Sequence, residues 1–167
     1  MRESVINMSD IKVAIIMGSE SDAEEMKPAS EALNELGVKN ESRVISAHRT
    51  PDRLREYILN AEKNGVKIFI GGAGMAAALP GVIAAHTHLP VLGVPIESKS
   101  LKGMDSLLSI VQMPPGIPVG ALAIGSAGAK NAGLLAGAIL ALSDKEIESK
   151  LKDYRKKQSD KVRKDPL

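Results

Sequence analysis

Lys12-Val13-Ala14-Ile15-Ile16-Met17 runs directly into Gly18-Ser19-Glu20-Ser21-Asp22. The first six residues are almost continuously apolar, the pattern of a strand covered on both faces in a parallel sheet. The next five begin with a glycine, where the backbone can turn tightly, and continue with hydroxyl and carboxylate side chains. Ser21 and Glu24 have the S-x-x-E spacing of a capping box. They predict a helix running to about Leu36 and stopped by Gly37. A buried strand, a short polar turn and a helix form one unit, and the chain repeats that unit.

Glu41–Ile45 predicts a second strand and Pro51–Asn64 a second helix, with Thr50 as its cap, Pro51 in the first helical position and Gly65 at its stop. Val66–Ile70 predicts a third strand, followed by a Gly/Ala-rich turn and a short helix from Pro80 to Thr87. Pro90–Ile96 and Val119–Ile124 predict the fourth and fifth strands. Gly103–Gln112 reads as a helix, Met113–Pro118 as a rigid loop, and Asn131–Leu142 as a helix of small residues. Strands alternating with helices through short connections predict an α/β/α sandwich around a parallel sheet. Right-handed crossovers leave 2-1-3-4-5 as the common order for five strands, with a ligand crevice where strands one and three diverge. The loops at Gly18–Asp22 and Gly71–Ala78 face that crevice.

The 167 residues suit one α/β domain, assigned to 11–164 with its C-terminal helix, after an extension at 1–10 in which Met8 is a second candidate start. A second capping box, Ser143 with Glu146, opens the charged tail helix. Ile147, Leu151 and Tyr154 give that helix one narrow apolar stripe. Packing on its own domain and packing on a neighbouring subunit are both open for this stripe. Aromatic residues make up only 2% of the chain, with no Trp and one Phe, so the core is aliphatic. That composition argues against a stacking platform for single-stranded nucleic acid. A net charge of +2 does not point to a polyanionic partner. The absence of Cys excludes disulfides, thiolate metal sites and a Cys nucleophile, and fits a cytoplasmic location. No apolar run reaches membrane-spanning length, and Met1–Asp10 lacks the apolar stretch of a signal peptide.

Chemistry concentrates at Ser46-Ala47-His48-Arg49-Thr50-Pro51, on a strand-to-helix turn. A proton-transferring ring beside a permanent cation suits an anionic substrate; the alternative is an ordinary polar surface turn. In Gly18-Ser19-Glu20-Ser21-Asp22, hydroxyls near a helix start offer donors to an anion, and Asp22 can accept from ribose hydroxyls. Gly72-x-Gly74-x-x-Ala77 loosely matches a dinucleotide fingerprint, with Glu97 as the ribose acid. It follows the wrong strand, however, and reads better as a tight, dry wall of Gly, Ala and Met for a small nonpolar species. Gly125–Asn131 lacks phosphate-loop spacing and reads as a loop plus helix start. His86 and His88 share no helix face and have no evident third ligand, so no metal site is assigned.

Several motifs together resemble one family: Met17-Gly18-Ser19-x-Ser21-Asp22, Ser46–Pro51, Gly72-Ala73-Gly74-x-Ala76-Ala77-x-Leu79-Pro80-Gly81, and Asp105–Pro114 with Gly116–Val119 after it. The family is the N5-carboxyaminoimidazole ribonucleotide mutase of purine biosynthesis, the catalytic-subunit type of phosphoribosylaminoimidazole carboxylase. The resemblance spans roughly Val13 to Leu142. It implies a flavodoxin-like fold and a homo-octamer. It also implies transfer of a carboxylate from nitrogen to ring carbon C4 without metal, ATP or organic cofactor. His48 matches the catalytic His. Ser19, Asp22 and Arg49 match ribonucleotide-binding positions, joined by Gly18, Ser21 and Ser46 around the phosphate. Ala73, Gly74, Met75 and Leu79 match the wall near the migrating carboxylate. Arg49, rather than Lys, resembles the bacterial mutase branch. An ATP-dependent synthetase of the N-carboxylated substrate is an implied functional partner, with neither nucleic acid nor membrane as a partner. The chain departs from the family pattern at Ala78, where a His is usual, and at Met75, which replaces a Gly. Two other readings stay open: direct carboxylation of aminoimidazole ribonucleotide by CO2, and a non-catalytic nucleotide-binding module.

Overall fold

The computed structural model describes residues 10–162. Residues 1–9 of the expected extension, the start at Met8, and residues 163–164 of the expected domain lie outside the described residues. Five strands, β1 (Val13–Met17), β2 (Asn40–Val44), β3 (Ile68–Ala73), β4 (Val91–Pro95) and β5 (Gly120–Ala121), form one parallel sheet in the order β2-β1-β3-β4-β5. The order matches the expectation. Residues alternate between the two faces along β1. Val13, Ile15 and Met17 pack with α1 (Ala23–Glu35) and α5 (Gly125–Ala141). Ala14 and Ile16 pack with α2 (Pro51–Lys63), α3 (Leu79–His86) and Ile110 of α4 (Met104–Val111). The near-continuous apolar run of β1 is thus the direct consequence of helices on both faces.

Four local readings need correction. Ser21 does not cap α1. Ser19 is extended and accepts from the Ser21 N–H, capping a 3-10 turn at Glu20–Asp22 that precedes the helix. Ser143 does not cap the tail helix α6 (Lys145–Lys161), because its hydroxyl donates to the Leu140 carbonyl. Asp144 Oδ1 takes the cap instead, accepting from the N–H groups of Glu146 and Ile147 at 3.0 and 3.2 Å. The fifth strand contracts to two residues. Pro118 cannot donate to a ladder, and the chain already enters α5 at Gly125, so the expected loop at 125–130 is helical.

The tail helix docks on its own chain. Tyr154 is buried, and Ile147 and Leu151 pack against the α1/α5 side of the core. Its outer face carries ion pairs: Glu148 accepts from Lys145 at 2.8 Å and from Lys152 at 2.6 Å. These donors hold the Glu148 carboxyl down at about 2. A carboxylate lowered in the folded state contributes stability above its ordinary value of roughly 4.3, and loses that contribution as pH falls toward the folded value. Glu148→Gln is therefore expected to flatten the acid limb of stability between about pH 4 and pH 2, as read by circular dichroism. The difference should shrink at high salt, because the pair is solvent-exposed.

At the sheet edge, Arg43 and Tyr57 both donate to Glu41, at 2.8 and 2.7 Å, tying α2 to β2. Burial, with Glu41 as acceptor, pushes the Tyr57 hydroxyl well above the usual phenol range, so it remains a donor. Among the described residues, no helix is long and apolar enough to cross a membrane.

Candidate active site

The carboxyl ends of β1, β2 and β3 lie side by side because these strands are neighbours in the sheet. The Ile45 N–H donates to the Met17 carbonyl at 2.9 Å, and the Gly18 N–H to the Gly72 carbonyl at 3.3 Å. Three loops leaving these ends surround a cleft of about 570 Å³. Gly18, Ser19, Ser21 and Asp22 form one wall, Ser46 to Arg49 the second, and Ala73 to Leu79 the third. The structure brings together Gly18, Ser19, Ser21, Asp22, Ser46, His48, Arg49, Ala73, Gly74, Met75 and Leu79, the site residues that the resemblance implied, along with Ala47, Ala76, Ala77 and Ala78. Glu97 does not join them; it pairs with Lys102 at 3.9 Å outside the cleft.

Arg49 is held in place before any ligand arrives. Its Nε–H and its backbone N–H both donate to Ser46 Oγ at 3.2 Å, and a terminal guanidinium nitrogen donates to the Gly18 carbonyl at 3.1 Å. This cation bridges the first and second loops. Ser46 Oγ serves as the acceptor, so its hydrogen is left to donate elsewhere. Ser19 is arranged in the same way: its Oγ accepts from the backbone N–H and hydroxyl of Ser21 at 3.3 and 3.0 Å. The Ser21 hydroxyl also lies 3.2 Å from Asp22 Oδ1. Two hydroxyls whose hydrogens are not spent on these bonds line the cleft together with an anchored guanidinium, a suitable arrangement for a phosphate.

The second turn differs in detail from its sequence reading. Thr50 occupies the cap position of α2, but its hydroxyl donates to the Ser46 carbonyl at 3.0 Å and its oxygen accepts from no helix N–H. This bond tightens the Ser46–Thr50 turn that presents His48. The imidazole is exposed at the cleft and makes no side-chain hydrogen bond among the described residues.

The third wall carries no polar side chain. Ala73, Ala77 and Leu79 are buried, Ala78 is half-buried, and Met75 and Ala76 project into solvent. The wall is apolar as expected, but in the single chain it is open rather than dry. Among the described residues, no group of three His, Cys, Asp or Glu side chains is placed to hold a metal ion.

Comparison with known proteins gives this cleft a context. The model of the family described as AIR carboxylase matches residues 12–161. The chain is 56% identical over 156 residues to the N5-carboxyaminoimidazole ribonucleotide mutase of Brucella melitensis, covering 93% of this chain and 96% of that protein. It is 58% identical over 162 residues to the bifunctional purine synthesis protein purC/E of Dictyostelium discoideum. That match covers 97% of this chain but only 16% of the longer protein. The crystal structure of Treponema denticola PurE superposes with a TM-score of 0.82 at 31% identity, over 89% of this chain and 92% of the other. Sheet order, cleft motifs and these matches converge: the chain belongs to the AIR carboxylase family.

Proposed function

We propose that this protein interconverts N5-carboxyaminoimidazole ribonucleotide and 4-carboxy-5-aminoimidazole ribonucleotide in purine biosynthesis. One observation supports this reading most directly: His48 and a pre-anchored Arg49 share a cleft with an apolar wall. In the proposed arrangement, Arg49 and the hydroxyls of Ser19 and Ser46 hold the phosphate beside Gly18, Ser21 orients the Ser19 hydroxyl, and Asp22 accepts from a ribose hydroxyl. The N–carboxylate bond then breaks, its electron pair stays on nitrogen, and His48 supplies the proton. The released CO2 lies against Ala73, Gly74, Met75 and Leu79. Carbon C4 attacks it with the electron pair of the enamine-like ring, and the C4 proton passes to His48, restoring aromaticity. Substrate and product balance with one shuttled proton, so the steps require no ATP, metal or organic cofactor. Holding ring and CO2 together makes recapture effectively intramolecular.

Positioning of Arg49 is testable. Ser46→Ala removes the acceptor of two Arg49 donors and one outward hydroxyl. KM is expected to rise roughly tenfold, the scale of losing a hydrogen bond to a charged group. Ser46→Thr, which keeps the oxygen, should stay near the parent value in steady-state kinetics. The reaction itself is tested by incubating the purified protein with N5-carboxyaminoimidazole ribonucleotide, without added bicarbonate. C4-carboxylated product is expected; binding without conversion would instead favour the non-catalytic module, with Ala78 as the missing imidazole.

The proposal extends to a cytoplasmic homo-octamer working with an ATP-dependent synthetase of its substrate. The exposed apolar side chains of Met104, Leu108 and Val111, at helical spacing along α4, support a self-association surface. Light scattering should then give eight times the chain mass.

A further inference from the structure

Thr50 stands at the start of a helix that it does not cap. A threonine in that place ordinarily turns its oxygen toward the N–H groups of the first helical turn, which is why the residue is favoured there. Here its backbone, with φ −138° and ψ 57°, lies away from the extended form usual for a cap, and its oxygen accepts from no N–H of α2. The hydroxyl donates instead to the Ser46 carbonyl at 3.0 Å, and the Thr50 N–H donates to the same carbonyl at 2.9 Å. The backbone bond alone satisfies that carbonyl. The second bond, made at the expense of a helix cap, closes the Ser46–Thr50 turn twice over. Helix formation does not account for a hydroxyl diverted in this way.

The turn carries two side chains of the cleft, and they are held unequally. Arg49 has anchors of its own, two donors on Ser46 Oγ and one on the Gly18 carbonyl. His48 is exposed and makes no side-chain hydrogen bond among the described residues, so the backbone of the turn sets where its ring lies. Thr50 is half-buried and does not line the cleft, so it acts through the turn and not on the substrate. Proton exchange with both nitrogen and C4 of one substrate demands a well-placed ring, and a displacement of about 1 Å can cost on the order of 10²-fold in rate. On the reading given above, on which this inference rests, we infer that Thr50 is a positioning residue whose hydroxyl clasps the Ser46–Thr50 turn and fixes the His48 imidazole for proton transfer.

The test separates turnover from binding and from stability. Thr50→Val keeps the shape of the side chain and the backbone bond, and removes only the hydroxyl. With N5-carboxyaminoimidazole ribonucleotide as substrate, its kcat is expected to fall about tenfold, within the range that misplacement of a reacting group produces. KM should stay near the parent value, because Arg49 keeps its anchors. The melting temperature should change by no more than about 3 °C, since no helix cap is lost. Thr50→Ser keeps the hydroxyl and should restore kcat to near the parent value. Unchanged kcat in Thr50→Val, with product formed by the parent, would overturn the role of Thr50 and leave the mutase reading intact. So would a loss carried by KM, a melting temperature that falls together with kcat, or an equal loss of kcat in Thr50→Ser. No product from the parent would overturn both.

Discussion

His48→Asn is expected to lower kcat by about 10²- to 10⁴-fold, the usual contribution of one positioned acid–base group. The affinity for the ribonucleotide should change little. The proposed phosphate donors are Arg49, Ser19 and Ser46, and the bonds that hold them, including that from Ser21 to Ser19, do not involve His48. Asn approximates the size and polarity of His but cannot exchange a proton near neutral pH. The imidazole is exposed and without a side-chain hydrogen bond among the described residues, so stability should change by no more than about 0.5 kcal/mol. Steady-state kinetics together with a direct binding measurement separate the two effects. Full turnover by the variant would remove His48 from the mechanism; an equal loss of binding and turnover would make it a binding residue.

Gly133→Val is expected to give the largest loss of stability. α5 lies directly against α1, and a Cβ at Gly133 would stand 2.5 Å from the Ala29 carbonyl oxygen and 3.1 Å from the Ala32 Cβ. The nearer atom is backbone, so no rotamer change relieves the contact. Only separation of the two helices does, and that opens the core around Ala29, Ala132 and Ala136. Overpacking of this kind costs about 1–3 kcal/mol, with valine toward the upper end. For a chain of this length the melting temperature should fall by roughly 4–12 °C. Denaturant unfolding supplies the free energy. Leu142→Ala, at a side chain 86% exposed, serves as the control and should remain within about 0.5 kcal/mol of the parent.

The same helix shows where the sequence was hard to read. Gly125-Ser126-Ala127-Gly128 resembles a loop by composition, because glycine and serine are poor helix formers. The structure reverses that reading: α5 begins at Gly125, and burial of Gly128, Ala129 and Ala132 holds this small-residue stretch as helix. The strands β1, β3 and β4 were legible because burial on both faces leaves a continuous apolar run. β5 was overextended because Val119–Ile124 is apolar, yet hydrogen-bonded pairing, which sequence does not display, reaches only Gly120 and Ala121. The two capping errors have one cause. Polar residues cluster at both helix starts, and backbone geometry has Ser19 cap a 3-10 turn ahead of α1, where Ser21 was expected to cap the helix, and Asp144 rather than Ser143 cap α6.

The cleft was more legible than its internal wiring. Motifs at the ends of three adjacent strands converge once the strand order is known, so Gly18–Asp22, Ser46–Arg49 and Ala73–Leu79 follow from topology. The anchoring of Arg49 by Ser46 Oγ and the Gly18 carbonyl did not follow, because it depends on side-chain placement across two loops. Nor did the openness of the Gly/Ala wall, since composition shows apolar character but not exposure.

The most direct measurement is a single turnover of N5-carboxyaminoimidazole ribonucleotide carrying isotopic label in its carboxylate, in the presence of a large pool of unlabelled bicarbonate. Proton shuttling by His48 with the released CO2 held in the cleft is expected to leave most of the label in the C4 carboxylate of the product. Product formed with its carboxylate drawn from the unlabelled pool would contradict the account and establish direct carboxylation by free CO2 instead.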